Sequence, residues 1–272
     1  MNVSDAADAL LRAEDNGSDI DPLTDAWDGL DLATAYRIQD ETLQRRLARG
    51  ERLVGVKLGL TSMAKQRTMG IDRPLVAWLT DAMLLPPGAP IGTGLIHPRA
   101  EPEIVFLLGQ RLAGPGVVAQ QALAAVASVC AGIEVIDSRF TDFRFLLPDV
   151  VADNASAAKF VLGPVVVPPV GLDLTLEACV FSVNGEVVDS ATGAAVQGHP
   201  AQALALAANA LAERGLALEP GWIVLTGGLT DASPVPPGSF AVAEFTHLGT
   251  IVLDAGAALS APSEGEGPRR EE

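Results

Sequence analysis

Two glutamates open an apolar run in the middle of the chain, Glu101-Pro102-Glu103-Ile104-Val105-Phe106-Leu107-Leu108. From Ile104 onward apolar residues fill both alternations, which predicts a β-strand buried on both faces. Side chains alternate along a strand, so Glu101 and Glu103 share one face. Two like charges at the mouth of an apolar strand are costly unless something neutralises them. A divalent cation would do so, because hard cations take carboxylate oxygens. Glu134 is a third acid set deep in an apolar run, Gly132-Ile133-Glu134-Val135-Ile136. Three monodentate carboxylates, with waters completing an octahedron, suit Mg2+ or Mn2+. The alternative is that each glutamate lies at a strand edge and pairs with an arginine; Arg99, Arg111 and Arg139 are near in sequence.

Other polar residues interrupt apolar stretches in the same way. Lys57 stands between Val56 and Leu58. A desolvated lysine can donate a proton or stabilise an oxyanion, whereas a snorkelling one only covers a strand. Asp81 follows Leu79-Thr80 at a predicted strand end and reads as an acid/base group or as a turn residue. Asp153-Asn154 and Ser156 suit ligand contacts or ordinary turn and capping roles. Gly227-Gly228 suits close approach to a ligand or a tight turn. The three histidines, His97, His199 and His247, are dispersed, and no Gly-x-Ser-x-Gly elbow is present, which speaks against a serine hydrolase. No phosphate loop or dinucleotide fingerprint occurs.

The elements that must position these groups follow from periodicity and punctuation. Helices are predicted over 4–14, over 31–49 with Asp31 as cap and Gly50 at its end, over 62–69, over 120–131 and over 200–214. Strands are predicted at 53–62, 76–79, 101–108, 132–137, 159–167, 177–183, 222–226, 239–244 and 249–253, with Asn184-Gly185 as a hairpin turn. The fold class is α+β, with a mainly β core and an N-terminal helical part. Residues 1–70 form that N-terminal part packed on the core, 71–261 the β-rich catalytic core, and 262–272 a polar disordered tail.

Composition narrows the function. Hydrophobic residues make up 49% and aromatics 4%, so aliphatic side chains must fill a sizeable core. A net charge of -16 argues against nucleic-acid binding and against docking on anionic lipid. Nine carboxylates and one base, Arg12, between Asp5 and Asp31 read as a solvated acidic surface. Cys130 and Cys179 lie in apolar runs and suit small buried hydrophobes. The first residues carry Asp5 and Asp8 and no basic region, so a cytoplasmic protein is expected.

Several stretches in order resemble one family: Val56-Lys57-Leu58-Gly59-Leu60-Thr61-Ser62, Ile96-His97-Pro98-Arg99-Ala100-Glu101-Pro102-Glu103-Ile104, Glu134-Val135-Ile136-Asp137-Ser138-Arg139 and Val151-Ala152-Asp153-Asn154-Ala155-Ser156. With Gly198-His199-Pro200, Leu206-Ala207-Ala208-Asn209 and Leu225-Thr226-Gly227-Gly228, they look like the hydratase/decarboxylase family of meta-cleavage pathways in aromatic catabolism, within the fumarylacetoacetate hydrolase superfamily. Residues 96–98, 112–116 and 136–145 look more like the 2-oxo-3-hexenedioate (4-oxalocrotonate) decarboxylase branch than the 2-hydroxypenta-2,4-dienoate hydratase branch. Pro102 departs from the small or polar residue expected between the two glutamates. Lacking an N–H it suits a strand edge or start, and it removes no ligand.

The resemblance implies a fumarylacetoacetate hydrolase-like fold of mixed sheets. It implies Mg2+ or Mn2+ held by Glu101, Glu103 and Glu134, with the metal polarising the ketone of a 2-oxo dicarboxylic acid. Lys57 is then the residue for stabilising or protonating the dienolate, Asp81 a second group for proton handling, and Ser156 and Arg139 contacts for substrate carboxylates. A homo-oligomer and a hydratase partner subunit are expected. The competing expectations are a hydratase, an acylpyruvate-type C–C hydrolase and a non-catalytic partner subunit.

Overall fold

The computed structural model describes residues 1–257, apart from the side chains of Ala64, Lys65 and Thr68. The tail predicted over 262–272 lies outside the described residues. In order the chain forms α1 (Val3–Asn16), α2 (Leu23–Ala26), α3 (Leu32–Ala48), β1 (Leu53–Gly59), α4 (Met63–Met69), β2 (Leu75–Thr80), β3 (Arg99–Leu108), α5 (Ala119–Ala124), β4 (Val126–Ile136), α6 (Leu147–Ala152), β5 (Ala157–Val167), β6 (Ala178–Val183), β7 (Glu186–Thr192), α7 (Pro200–Glu213), β8 (Ile223–Leu225), β9 (Ser233–Pro234), β10 (Phe240–Phe245) and β11 (Gly249–Asp254).

Caps fix the helices where the sequence predicts them. The Asp31 carboxylate accepts the Thr34 N–H at 2.7 Å and starts α3. The His199 Nδ1 accepts the Ala201 N–H at 2.9 Å, and Pro200 opens α7 with its φ already helical. The acidic N-terminus is partly neutralised across the helix pair: Asp8, Glu14 and Asp15 on α1 meet Arg45, Arg46 and Arg49 at the end of α3. Beneath those ion pairs Ala6, Ala7, Leu10, Ala35 and Ile38 pack with Leu75, Phe140 and Val151 as a separate apolar cluster.

Two sheets make the core. The larger has seven strands, in the order β2-β1-β8-β3-β4-β5, with β9 pairing the start of β3. Only β1 and β8 run parallel; the other pairs are antiparallel. Because β1 lies between β2 and β8, a division at residue 70 cuts through one sheet. The smaller sheet, β11-β10-β6-β7, is antiparallel throughout. Its hairpin turn places Asn184 and Gly185 at φ 53° and 83°, the left-handed pair that an Asn-Gly turn adopts. Ile104, Phe106, Val129, Ala131 and Ile133 from the large sheet meet Phe181, Ala241, Ala243, Ile251 and Leu253 from the small one in one continuous core, which α7 joins through Ala203, Leu204, Ala207, Ala208 and Leu211.

The helix expected over 120–131 is mostly strand. Only Ala119–Ala124 turns helically, and Val126–Ile136 continues as β4 between β3 and β5. Both faces of β4 are covered from Val129 to Val135, so the run is apolar without alternation; its alanines read as helix while its pairing on both edges makes it strand. Among the described residues no helix is long and apolar enough to cross a membrane.

Candidate metal and substrate site

The register of β3 on β4 builds the site. Glu101 lies directly opposite Glu134, and Glu103 lies opposite Gly132. All three carboxylates therefore sit on one face of the sheet. A Cβ at Gly132 would come 2.5 Å from Val105 Cγ2, so glycine at that position permits the close packing beside Glu103. Each glutamate offers an oxygen within 4.8 Å of the others. Glu103 and Glu134 are fully buried, while Glu101 is half-buried.

Lys57 reaches this cluster from β1. Its backbone pairs with Leu225, the last residue of β8, so its side chain extends past the end of that short strand. The Nζ donates to Glu134 Oε2 at 3.1 Å and lies 3.1 Å from Oε1 as well, yet Oε1 receives no hydrogen bond. The other buried oxygen without a partner here is Glu103 Oε1. Its sister Oε2 accepts the Gly227 N–H at 2.8 Å. Burial, followed by the charges of Glu134 and Glu101, pushes the Glu103 carboxyl well above its ordinary range, against the pull of Gly227 and Lys57.

Gly227-Gly228 resolves as a close approach. Gly227 has φ 107°, and a Cβ there would lie 2.0 Å from Thr61 Oγ1; a Cβ at Gly228 would lie 2.9 Å from Glu101 Cδ. The backbone after β8 thus packs directly on both β3 glutamates. The dipeptide was visible in the sequence, but its contact with carboxylates 124 residues earlier was not.

The donor set fits a hard divalent cation. Three carboxylates lie together, the buried Oε1 atoms of Glu103 and Glu134 have no donor, and every candidate ligand is oxygen. The arginines that would have paired the glutamates as ordinary strand-edge acids do not reach them. Arg111 pairs with Glu219, Arg139 with Asp153, and Arg99 lies over the Phe143 ring.

Comparison with known proteins places this geometry. Residues 59–254 match the family model described as Fumarylacetoacetate (FAA) hydrolase C-terminal. The chain belongs to the fumarylacetoacetate hydrolase family. It is 42% identical over 246 residues to a 4-oxalocrotonate decarboxylase of Pseudomonas sp. (strain CF600), covering 90% of this chain and 93% of that one. It is 40% identical over 232 residues to a 2-hydroxyhexa-2,4-dienoate hydratase of Comamonas testosteroni, covering 84% and 88%. Its fold superposes with a TM-score of 0.90, at 39% identity, on the 4-oxalocrotonate decarboxylase from Pseudomonas putida G7 complexed with magnesium and adipate, covering 93% of this chain and 96% of that one. The fumarylacetoacetate hydrolase-like architecture of mixed sheets and N-terminal helices expected from the sequence is the one observed.

Three expected site residues are engaged by other partners. Asp81 accepts the Arg52 backbone N–H and its Nε, both at 2.8 Å, and these bonds hold its carboxyl below the usual range. Ala77, not Asp81, is the residue opposite Lys57, so Asp81 lies four residues along β2, about 13 Å away. Arg139 is buried, and all three of its guanidinium nitrogens are engaged. Its Nε meets Asp153 Oδ1, its NH1 donates to the carbonyls of Asp137 at 2.8 Å and Ala157 at 3.1 Å, and its NH2 donates to the Asp153 carbonyl. Ser156 Oγ donates to Asp153 Oδ2 at 3.1 Å, within a turn whose residues Asn154, Ala155 and Ser156 have φ 51°, 49° and 58°. This network is a brace. Asp137 accepts the Ile96 and His97 N–H groups at 2.8 and 2.7 Å and so ties the end of β4 to the start of β3.

Two measurements follow. Mg2+ titrated into the wild-type protein by calorimetry is expected to bind at one site, and Glu103→Gln to weaken it by more than about 100-fold, beyond the loss typical of a residue outside the ligand set. Arg139→Met leaves Asp153 buried without its cation and is expected to cost about 3–5 kcal/mol in urea unfolding. A substrate-binding Arg139 would instead leave stability intact and raise KM.

Proposed function

We propose that this protein is a metal-dependent carboxy-lyase that converts 2-oxo-3-hexenedioate (4-oxalocrotonate) to 2-hydroxypenta-2,4-dienoate and CO2. The observation that carries the reading is the trio Glu101, Glu103 and Glu134, the last two fully buried, with Lys57 as the ammonium bonded to Glu134. Likeness to decarboxylases across nine-tenths of the chain supplies the reaction class. The three glutamates would hold Mg2+ or Mn2+, which when bound supplies a Lewis acid that polarises the substrate's 2-oxo group.

This chain's own residues do the rest. Burial of Lys57, Glu103 and Glu134 strengthens the charge interactions among them. As the C5–C6 bond breaks, its electron pair forms C4=C5, the C3=C4 pair moves to C2=C3, and negative charge gathers on the C2 oxygen while C6 leaves as CO2. Lys57 is the cation for that developing charge and the proton source for the dienolate. Glu134 fixes the direction of Lys57 through their ion pair. The Gly227 N–H holds one oxygen of Glu103 and leaves the other facing the pocket.

A hydratase is the second reading, favoured by the near-equal identity to the Comamonas enzyme. It would use the same enolate chemistry to add water to the terminal alkene. The decarboxylase reading also expects a cytoplasmic homo-oligomer that hands its dienol to a hydratase partner.

Purified protein with Mg2+ should release CO2 from 2-oxo-3-hexenedioate and leave 2-hydroxypentadienoate and acetylpyruvate unconsumed. Lys57→Met should lower kcat by at least about 100-fold, the scale of a lost proton donor or oxyanion partner. Turnover of 2-hydroxypentadienoate alone would replace the decarboxylase by the hydratase.

A further inference from the structure

We infer that Arg99 binds the distal carboxylate of a dicarboxylic substrate and sets the preference for dicarboxylates over monocarboxylates. This rests on the decarboxylase reading and deepens it. Arg99 precedes Glu101 by two residues on β3, so its side chain leaves the same face of the sheet about 7 Å further along. Exposure alternates accordingly: Arg99 and Glu101 are half-open, whereas Ala100 and Pro102 between them are buried. A guanidinium on a side chain of this length spans the distance from the carboxylate trio to the far end of a six-carbon diacid.

No carboxylate lies within ion-pair distance of Arg99 among the described residues, although the chain carries a large excess of acid and pairs most of its other arginines. Its cation instead lies 4.0 Å from the centre of the Phe143 ring. Phe143 is held there at cost. It and Asp142 both have φ 55°, unfavourable for a bulky side chain, and the turn is pinned where Thr141 N–H donates to the Ile20 carbonyl and Ile20 N–H to that of Arg139. The His97 ring lies 4.6 Å from the same Phe143 ring, and its Nε2 is buried with no hydrogen-bond partner. A planar fork without a carboxylate, held over a ring that also contacts an imidazole with an unpartnered nitrogen, makes a carboxylate subsite.

The subsite also explains how a cation can bind the group that must leave. Tight neutralisation would favour the carboxylate over neutral CO2 and slow the reaction. Arg99 is half-open and already engaged by an aromatic face, so it orients the carboxylate without enclosing it.

The test uses Mg2+-loaded protein and two ligands of equal length, 2-oxoadipate and 2-oxohexanoate, which differ only in the distal carboxylate. Wild type should prefer 2-oxoadipate. Arg99→Gln should weaken 2-oxoadipate by about 10- to 100-fold, the range for a hydrogen bond to a charged group, and leave 2-oxohexanoate within about 3-fold. Arg99→Lys should fall between, having charge without the fork. With 2-oxo-3-hexenedioate, the Arg99→Gln defect should appear in KM rather than kcat. Equal weakening of both ligands, or none, would overturn the assignment while leaving the metal-site reading in place. Wild-type binding of neither ligand would overturn both.

Discussion

Three carboxylates lie within reach of one another beside the Lys57 ammonium, and two of them, Glu103 and Glu134, are fully buried. That burial of like charges is the constraint on which the remaining structure turns. Lys57 answers one negative charge, through Glu134. The Gly227 N–H offers Glu103 a dipole but no charge, and burial then drives the Glu103 carboxyl toward its protonated form. A divalent cation held by the three glutamates would remove the conflict and would supply a Lewis acid there. The same burial that makes the cluster costly makes its interactions strong.

Holding such a cluster requires a rigid frame, and the frame is visible in the register. Pairing of β3 with β4 puts Glu101 across from Glu134. Pro102 sits between the two β3 glutamates without breaking the ladder, because its carbonyl accepts the Leu229 N–H and the edge it presents there is the one β3 turns away from β4. The Arg139–Asp153–Ser156 network fastens the turn after α6 and, through Asp137, the approach to β3. Polar residues that resemble substrate contacts in the sequence thus fix the strands that carry the glutamate cluster.

The sequence exposed the candidate ligands better than their surroundings. Glu101, Glu103, Glu134 and Lys57 stood out because each is a charge inside an apolar strand, and a strand assigns faces by simple alternation. Asp81, Ser156 and Arg139 carried the same polar signal, but their partners lie on other elements: Arg52, Asp153 and the carbonyls of Asp137 and Ala157. Nothing local distinguishes a carboxylate awaiting a metal from one awaiting an arginine. The error over 120–131 has a similar origin, since an alanine-rich run covered on both faces loses the alternation that marks a strand. Arg99 shows the converse, as it reads as a neutralising partner for the glutamates and instead lies over the Phe143 ring.

The central claim is that Glu101, Glu103 and Glu134 together hold one divalent cation, and the most direct measurement is anomalous diffraction from crystals of the protein grown or soaked with Mn2+. The account predicts a single strong anomalous peak within coordination distance of one oxygen from each of the three glutamates, with Lys57 still bonded to Glu134. A peak elsewhere, or none at saturating Mn2+, would contradict it.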